Sequence, residues 1–199
     1  MHPSRIKKVY NFVEYAKKEA KTDKSFLKNL RKNLRIKNGE KIIGFVGRLE
    51  IVKGCDILIK SLPKLKFNYK ILIAGEGTQR EELEDLAKKL RVRHKIVFLG
   101  YVKEMKKIYP LFDIIAMPSR SEASPLVFYE GLLHKIPILG NDVDAINEFI
   151  KPEKNGWLFE KNSYNDLAKK LNLIFEKDLT KLCYKEKELE KDFLMSTYM

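Results

Sequence analysis

The sequence predicts an α/β fold, a doubly wound parallel sheet of Rossmann-like type. Three observations carry this reading. From Lys41 onward, short apolar runs alternate with helical patterns. The runs are almost unbroken in apolar character, as strands covered on both faces must be. Repeated β-α units of this length close into an open sheet through right-handed crossovers.

The elements follow in chain order. Lys41–Val46 (KIIGFV) and Tyr69–Ala74 (YKILIA) read as the first two strands. Between them, residues 54–62 place Ile57, Leu58 and Leu62 at helical spacing. Residues 80–90 set Leu83, Leu86, Ala87 and Leu90 on one stripe, with charges elsewhere. Residues 95–99, 113–117, 136–139 and Gly156–Phe159 supply four more short strands. A helix is expected from Pro125 through Leu133, with Ser124 as capping hydroxyl and Pro125 at the first helical position. Residues 164–175 form the last helix of the sheet domain.

The flanks differ in character. Residues 1–40 read as hinge, linker and a basic amphipathic helix, 41–178 as the α/β domain, and 179–199 as a C-terminal helix. Residues 2–14 hold one candidate strand, and 19–23 are charged and linker-like. Residues 25–36 set Phe26, Leu30 and Leu34 on one face, with Lys28, Arg31, Lys32 and Arg35 elsewhere. Such a helix either lies on an anionic membrane or docks its apolar stripe on the sheet domain; docking is the favoured expectation. The last segment ends in Phe193, Leu194, Met195 and Tyr198, too apolar to float free.

Composition narrows the classes of function. At 199 residues the chain suits one domain, or one with an appendage. Its 44% hydrophobic and 11% aromatic content builds a sizeable core and argues against disorder. A net charge of +13 favours anionic partners: nucleotides, an acidic membrane surface or nucleic acid. No aromatic-and-basic platform or reading helix supports the nucleic-acid option. Cys55 and Cys183 show neither metal-ligand spacing nor a disulfide framework. No apolar run approaches a membrane span and no signal-like segment opens the sequence, so a reducing cytoplasm is the expected compartment. His2, His94 and His134 form no metal cluster, and neither a Ser-His-Asp set nor a P-loop is present. His134 is expected only to meet the C-terminal carbonyls of its helix.

Residues 117–131, MPSRSEASPLVFYEG, hold the strongest functional signal. Glu122 and Glu130 stand there with seven residues between them (E-x7-E). Glu122 lies in a polar loop after a strand, and Glu130 more than a turn inside the next helix. A strand, a short loop and a helix N-terminus make an anion site, because unpaired backbone N–H groups point outward there. Carboxylates flanking it suit a ligand with both phosphates and sugar hydroxyls; otherwise both simply solvate a surface.

The turn after the first strand, GRLEIVKG (47–54), adds a second signal. Lys53 at a helix start is electrostatically misplaced unless an anion sits between them. Arg48, at the carboxyl end of the strand, points toward the same crevice. Together they read as a diphosphate clamp of planar fork and point charge, or as a surface pair screened by water. Gly75-Glu76-Gly77 lacks the third glycine of a dinucleotide fingerprint, since Arg80 stands there, so its glycines are expected to serve a tight turn. Gly100-Tyr101-Val102 either holds a base by backbone contacts or is an ordinary turn.

Taken in order, GRLEIVKG (47–54), LIAGEG (72–77), VFLGYV (97–102) and PSRSEASPLVFYEG (118–131) closely resemble one family. It is the C-terminal, nucleotide-sugar-binding domain of the family 4 (group 1) retaining glycosyltransferases of GT-B fold. The resemblance spans residues 41–175, and residues 9–13 resemble the hinge that precedes that domain. It implies that Arg48 and Lys53 hold the donor diphosphate and, with Glu122, carry catalysis. Glu122 would meet hydroxyls of the transferred sugar, and Glu130 would accept hydrogen bonds from the ribose. The Leu126 amide, with Ser124 and Pro125 at the helix start, would face the diphosphate, and the Tyr101–Val102 backbone would border the base. Neither metal nor other cofactor is implied; positive charge stabilises the leaving nucleoside diphosphate.

The resemblance further implies transfer of a hexose, with retention, to a saccharide or lipid-linked acceptor. A separate N-terminal acceptor domain would be required, and the isolated chain would be inactive without it. The implied location is cytoplasmic, free or peripherally attached at the cytoplasmic face of a membrane, with no nucleic-acid partner. The alternative is a non-catalytic nucleotide or nucleotide-sugar binding module. Two departures from the family pattern stand out. Asn141-Asp142-Val143-Asp144-Ala145 lacks a glycine pair expected near the donor sugar, and Ala123-Ser124-Pro125 replaces Gly-Phe-Gly after Glu122.

Overall fold

The computed structural model describes residues 24–123, 125–152 and 154–177. Its strands are β1 (Lys41–Val46), β2 (Tyr69–Ala74), β3 (Ile96–Gly100), β4 (Ile114–Met117), β5 (Ile138–Asn141) and β6 (Gly156–Phe159). Its helices are α1 (Lys24–Asn33), α2 (Cys55–Ser61), α3 (Arg80–Lys89), α4 (Leu126–Leu133), α5 (Asp144–Phe149) and α6 (Tyr164–Glu176). All six strands pair in parallel, in the order β3-β2-β1-β4-β5-β6. This is the doubly wound sheet the sequence predicts. Strand order reverses between β1 and β4, so the loops leaving them part to opposite faces and open a crevice at the carboxyl ends.

Two apolar layers cover the sheet. Ile43, Phe45, Ile71 and Ile73 face α2, α3 and α6 through Leu58, Leu83, Ala87, Leu167 and Leu171. Ile42, Leu72, Ile115 and Ile138 face the other side, against Phe128 and Leu132 of α4 and Ile146 of α5. Neighbours such as Ile42 and Ile43 thus serve opposite layers, as the two-residue period of a strand requires. Burying each such side chain stabilises the fold by about 1.5–3 kcal/mol.

Helix α1 docks on the second layer through Leu27 and Leu30, joined by Leu34 just past its end. That matches the docking alternative, but the stripe is rotated: Phe26 stays exposed and Leu27 takes its place. Among the described residues no helix is long and apolar enough to cross a membrane. The expectations for residues 1–23 and 179–199 lie outside the described residues.

Two local readings are corrected, and one helix is added. Strand β5 starts two residues later than expected, because Ile136 still belongs to the end of α4. Its N–H donates to the Gly131 carbonyl at 2.9 Å, with Lys135 at φ 56° forming the left-handed closure. Pro125 is the N-cap of α4, not its first helical residue. Its backbone is extended (ψ 90°), and its carbonyl accepts from the Phe128 N–H at 2.9 Å. Residues 144–149, to which the sequence reading assigns no element, form α5, whose Ile146 and Phe149 follow helical spacing with Ile150.

The loops after β1 and β2 are stitched together. The Leu49 N–H donates to the Glu76 carbonyl at 2.8 Å, and the Gln79 N–H to the Leu49 carbonyl at 2.9 Å. Gly75, at φ 142°, lies so close to Gly47 that any Cβ there would overlap the Gly47 carbonyl oxygen. The glycines after β2 therefore serve a close approach between two loops as well as a turn. Arg80 is consumed locally, ion-paired to Glu84 at 2.7 Å and lying over the Phe98 ring at 4.4 Å.

Candidate functional site

The crevice between β1 and β4 gathers much of the charged machinery singled out in the sequence. Its walls are the end of β1 (Phe45 to Gly47), the end of β4 and its loop (Ala116 to Ser119), and the start of α4 (Pro125 to Val127). Lys53 and Glu122 complete the lining. Lys53 ends a single 3-10 turn, Ile51–Lys53, and Gly54 at φ 67° then caps α2. The lysine therefore stands one residue ahead of the helix cap. Its Nζ donates to Glu122 Oε2 at 2.6 Å, with side-chain exposures of 24% and 13%. The Ser119 hydroxyl reaches the same oxygen at a long 3.5 Å. The cation read for phosphate and the carboxylate read for sugar are thus each other's partner.

A second, unforeseen ion pair holds the two loops at this distance. The Arg120 N–H donates to the Val52 carbonyl at 2.7 Å, and its Nη1 to the Ile51 carbonyl at 2.6 Å. The guanidinium then grips Asp56 with two parallel bonds of 2.8 Å each. Burial opposes the Asp56 charge, but hydrogen bonds from Arg120 and Lys60 outweigh it and hold the carboxyl below its ordinary value. Asn141, fully buried at the end of β5, donates to the Ser119 carbonyl and to Asn162 Oδ1, each at 3.0 Å. Sequence reading missed Arg120, Asp56 and Asn141; only the position of Arg120 between Pro118 and Glu122 hinted at a role.

Asp56→Asn should cost about 1–3 kcal/mol of stability, because it keeps the shape but leaves a part-buried guanidinium without its anion. Urea denaturation at pH 7 measures this. The sign with pH follows from the lowered carboxyl: the contribution is complete above the ordinary aspartate range and is lost as pH falls through the folded value. The wild-type advantage over Asp56→Asn should therefore shrink in acid.

Glu130 lies one turn beyond Leu126 on α4, on the same face. The Tyr109 hydroxyl donates to its Oε2. Tyr109 is 1% exposed, and burial, then the Glu130 bond, push its phenol well above the ordinary range, so it stays a donor. His134 is the C-cap of α4, and its backbone N–H donates to the Glu130 carbonyl at 3.2 Å. Its ring also stacks on Tyr109, with centroids 4.9 Å apart and planes inclined by 22°.

Arg48, Tyr101 and Val102 stand outside the crevice lining. Arg48 is exposed just past β1 and makes no ion pair among the described residues. Tyr101 is 79% exposed, whereas Val102 packs into the second layer. Leu126, 46% exposed, opens α4 at the crevice, where the first amides of a helix lack intrahelical acceptors. Ser124 lies outside the described residues. Cys55 is fully buried, and burial raises its thiol far out of nucleophilic range.

In a doubly wound parallel domain the ligand crevice lies at the switch point of the sheet, and the charged cluster of this chain stands there. Residues 27–191 match the family model described as glycosyl transferases group 1, and the chain belongs to that family. An uncharacterised glycosyltransferase of Methanocaldococcus jannaschii is 41% identical over 139 residues, covering 67% of this chain and 36% of the relative. A Campylobacter jejuni relative is 32% identical over 164 residues, covering 79% of this chain and 45% of its own length. Its name describes an α-1,4-N-acetyl-D-galactosaminyltransferase acting on a diphospho-undecaprenol-linked saccharide. Anabaena HepE, solved with UDP and glucose, superposes with a TM-score of 0.75 at 21% identity, over 82% of this chain and 46% of HepE. The chain thus spans less than half the length of these relatives, and its fold is the Rossmann-like C-terminal portion of a GT-B glycosyltransferase.

Proposed function

We propose that the crevice binds a nucleotide diphosphate sugar and that the chain is the donor half of a retaining hexosyltransferase. The observation that carries this reading is Lys53, which lines the β1–β4 crevice together with the start of α4. A lysine and a helix N-terminus around one space make a phosphate site. In this reading Lys53 and the Leu126 amide take the diphosphate, and Arg48 swings in from the rim. Glu122 turns from Lys53 to the sugar hydroxyls, and Glu130 accepts from the ribose. Ser124 and Pro125 shape the loop over the phosphates, and the Tyr101–Val102 backbone borders the base. Positive charge at these groups, without a metal ion, stabilises the leaving diphosphate. The nucleotide in HepE and the lipid-linked acceptor named for the Campylobacter relative support this choice of donor and acceptor class. A lipid-linked acceptor would bring the protein to the cytoplasmic face of a membrane, where a second domain presents the acceptor.

Calorimetry with UDP, GDP and ADP and their hexose conjugates, with and without EDTA, tests the reading. One nucleoside diphosphate should bind regardless of EDTA, and Arg48→Ala should weaken it by about 1–3 kcal/mol. Absence of binding by all three would overturn the proposal.

A further inference from the structure

We infer that Tyr109 is the positioning residue for Glu130: its hydroxyl fixes one carboxylate oxygen so that the other meets the ribose diol, which sets a preference for ribonucleotides. This rests on the donor reading above and adds a residue to it.

Glu130 is a half-buried carboxylate in a chain of net charge +13, yet it has no cationic partner among the described residues. A carboxylate kept only for stability in so basic a protein would be expected to find a lysine. Its one protein donor among the described residues is the neutral Tyr109 hydroxyl on Oε2, which leaves Oε1 to accept from something else. Phosphate is excluded there by like charge. Uncharged hydroxyls are the natural complement, and a vicinal diol offers two.

Placement agrees with that choice. Leu126 and Val127 line the crevice, and Glu130 lies three to four residues further along the same helix. That is about 6 Å along the axis, the scale of a ribose beside its phosphate. Tyr109 itself is rigidly seated. It opens the 3-10 turn Tyr109–Leu111, meets Phe112 edge-on at 5.8 Å, and lies under the His134 ring. Partial burial lowers the His134 pKa from its ordinary value, so at pH 7 the ring is neutral and supplies no cation to Glu130. With one oxygen bonded to a fixed phenol, the carboxylate cannot swing about its last torsion, and its free oxygen is held ready before the ligand arrives.

Tyr109→Phe removes only the hydroxyl and keeps both ring contacts. Calorimetry compares three ligands: whichever of UDP, GDP and ADP binds wild type most tightly, its 2′,3′-dideoxy counterpart, and inorganic pyrophosphate. Wild type should prefer the ribose form by about tenfold, the scale of one hydrogen bond to a charged group. Tyr109→Phe should lose most of that preference with pyrophosphate affinity unchanged, which a merely structural role would not produce. In a Glu130→Gln background the same change should add nothing further. If Glu130→Gln abolishes the preference while Tyr109→Phe retains it, the positioning role is overturned and the donor reading survives. A wild type that binds both forms equally would overturn the ribose assignment of Glu130 and, with it, this inference.

Discussion

Lys53→Ala is expected to weaken nucleoside diphosphate binding by about 2–4 kcal/mol, whereas Glu122→Gln should tighten it by about 1 kcal/mol. The opposite signs follow from the 2.6 Å pair between the two side chains. In the proposed site an incoming phosphate must share or replace Glu122 as the partner of Lys53. Removing the lysine takes away the charge-assisted bond and leaves Glu122 facing the phosphate, so loss of attraction and gain of repulsion add. Removing only the carboxylate charge keeps an acceptor oxygen near Ser119 and releases Lys53 to the ligand. Once a hexose is attached, the balance changes, because Glu122 is then needed at the sugar hydroxyls and the glutamine is the weaker acceptor. The advantage of Glu122→Gln should therefore vanish or reverse with the nucleotide sugar. Titrations at two salt concentrations would separate the effect of the shielded pair from long-range attraction, which salt screens. Equal weakening by both variants with the bare diphosphate would show that the pair is no competitor of phosphate.

The strands were legible wherever an apolar run ends abruptly. Lys41–Val46, Tyr69–Ala74 and Gly156–Phe159 stand as expected, since glycine or charge bounds each run. At β5 the run Ile136 to Leu139 is continuous in sequence, but a helix closure takes Ile136, and only the left-handed Lys135 reveals it. Helix α5 escaped notice because it has six residues and no side-chain cap, so short-range signals are weak there. The site divides in the same way. Lys53, Glu122 and Glu130 are conspicuous singly, because a charge beside a helix start or strand end invites a question. Their partners are not, because partnership is set by the fold. Arg120 and Asp56 are 64 residues apart, and Tyr109 and Glu130 are 21 apart. No local pattern encodes those distances: the first appears only once β1 and β4 lie side by side, the second only once α4 folds back beside the turn Tyr109–Leu111.

Gly54→Ala should be a severely damaging single-methyl change at the crevice, costing about 2–5 kcal/mol, and Gly39→Ala is its control. Both glycines are left-handed, at φ 67° and 79°, so alanine meets a backbone penalty of about 1–2 kcal/mol at either. They differ in surroundings. A Cβ on Gly39 would meet nothing within 4 Å, whereas one on Gly54 would overlap the Pro118 carbonyl oxygen. Backbone cannot yield as a side-chain tip does, so the β4 loop must move away, with an overpacking cost of about 1–3 kcal/mol on top. That movement would stretch the bond from the Arg120 N–H to Val52 and draw Glu122 away from Lys53. At about 2–4 °C per kcal/mol for a domain of this size, Gly54→Ala should melt on the order of 10 °C below wild type, and Gly39→Ala only a few degrees below. If Gly54→Ala still folds, its affinity for nucleoside diphosphate should fall, while Gly39→Ala binds as wild type does. Equal melting points for the two variants would mean that the approach of the β1 and β4 loops is looser than their contacts imply.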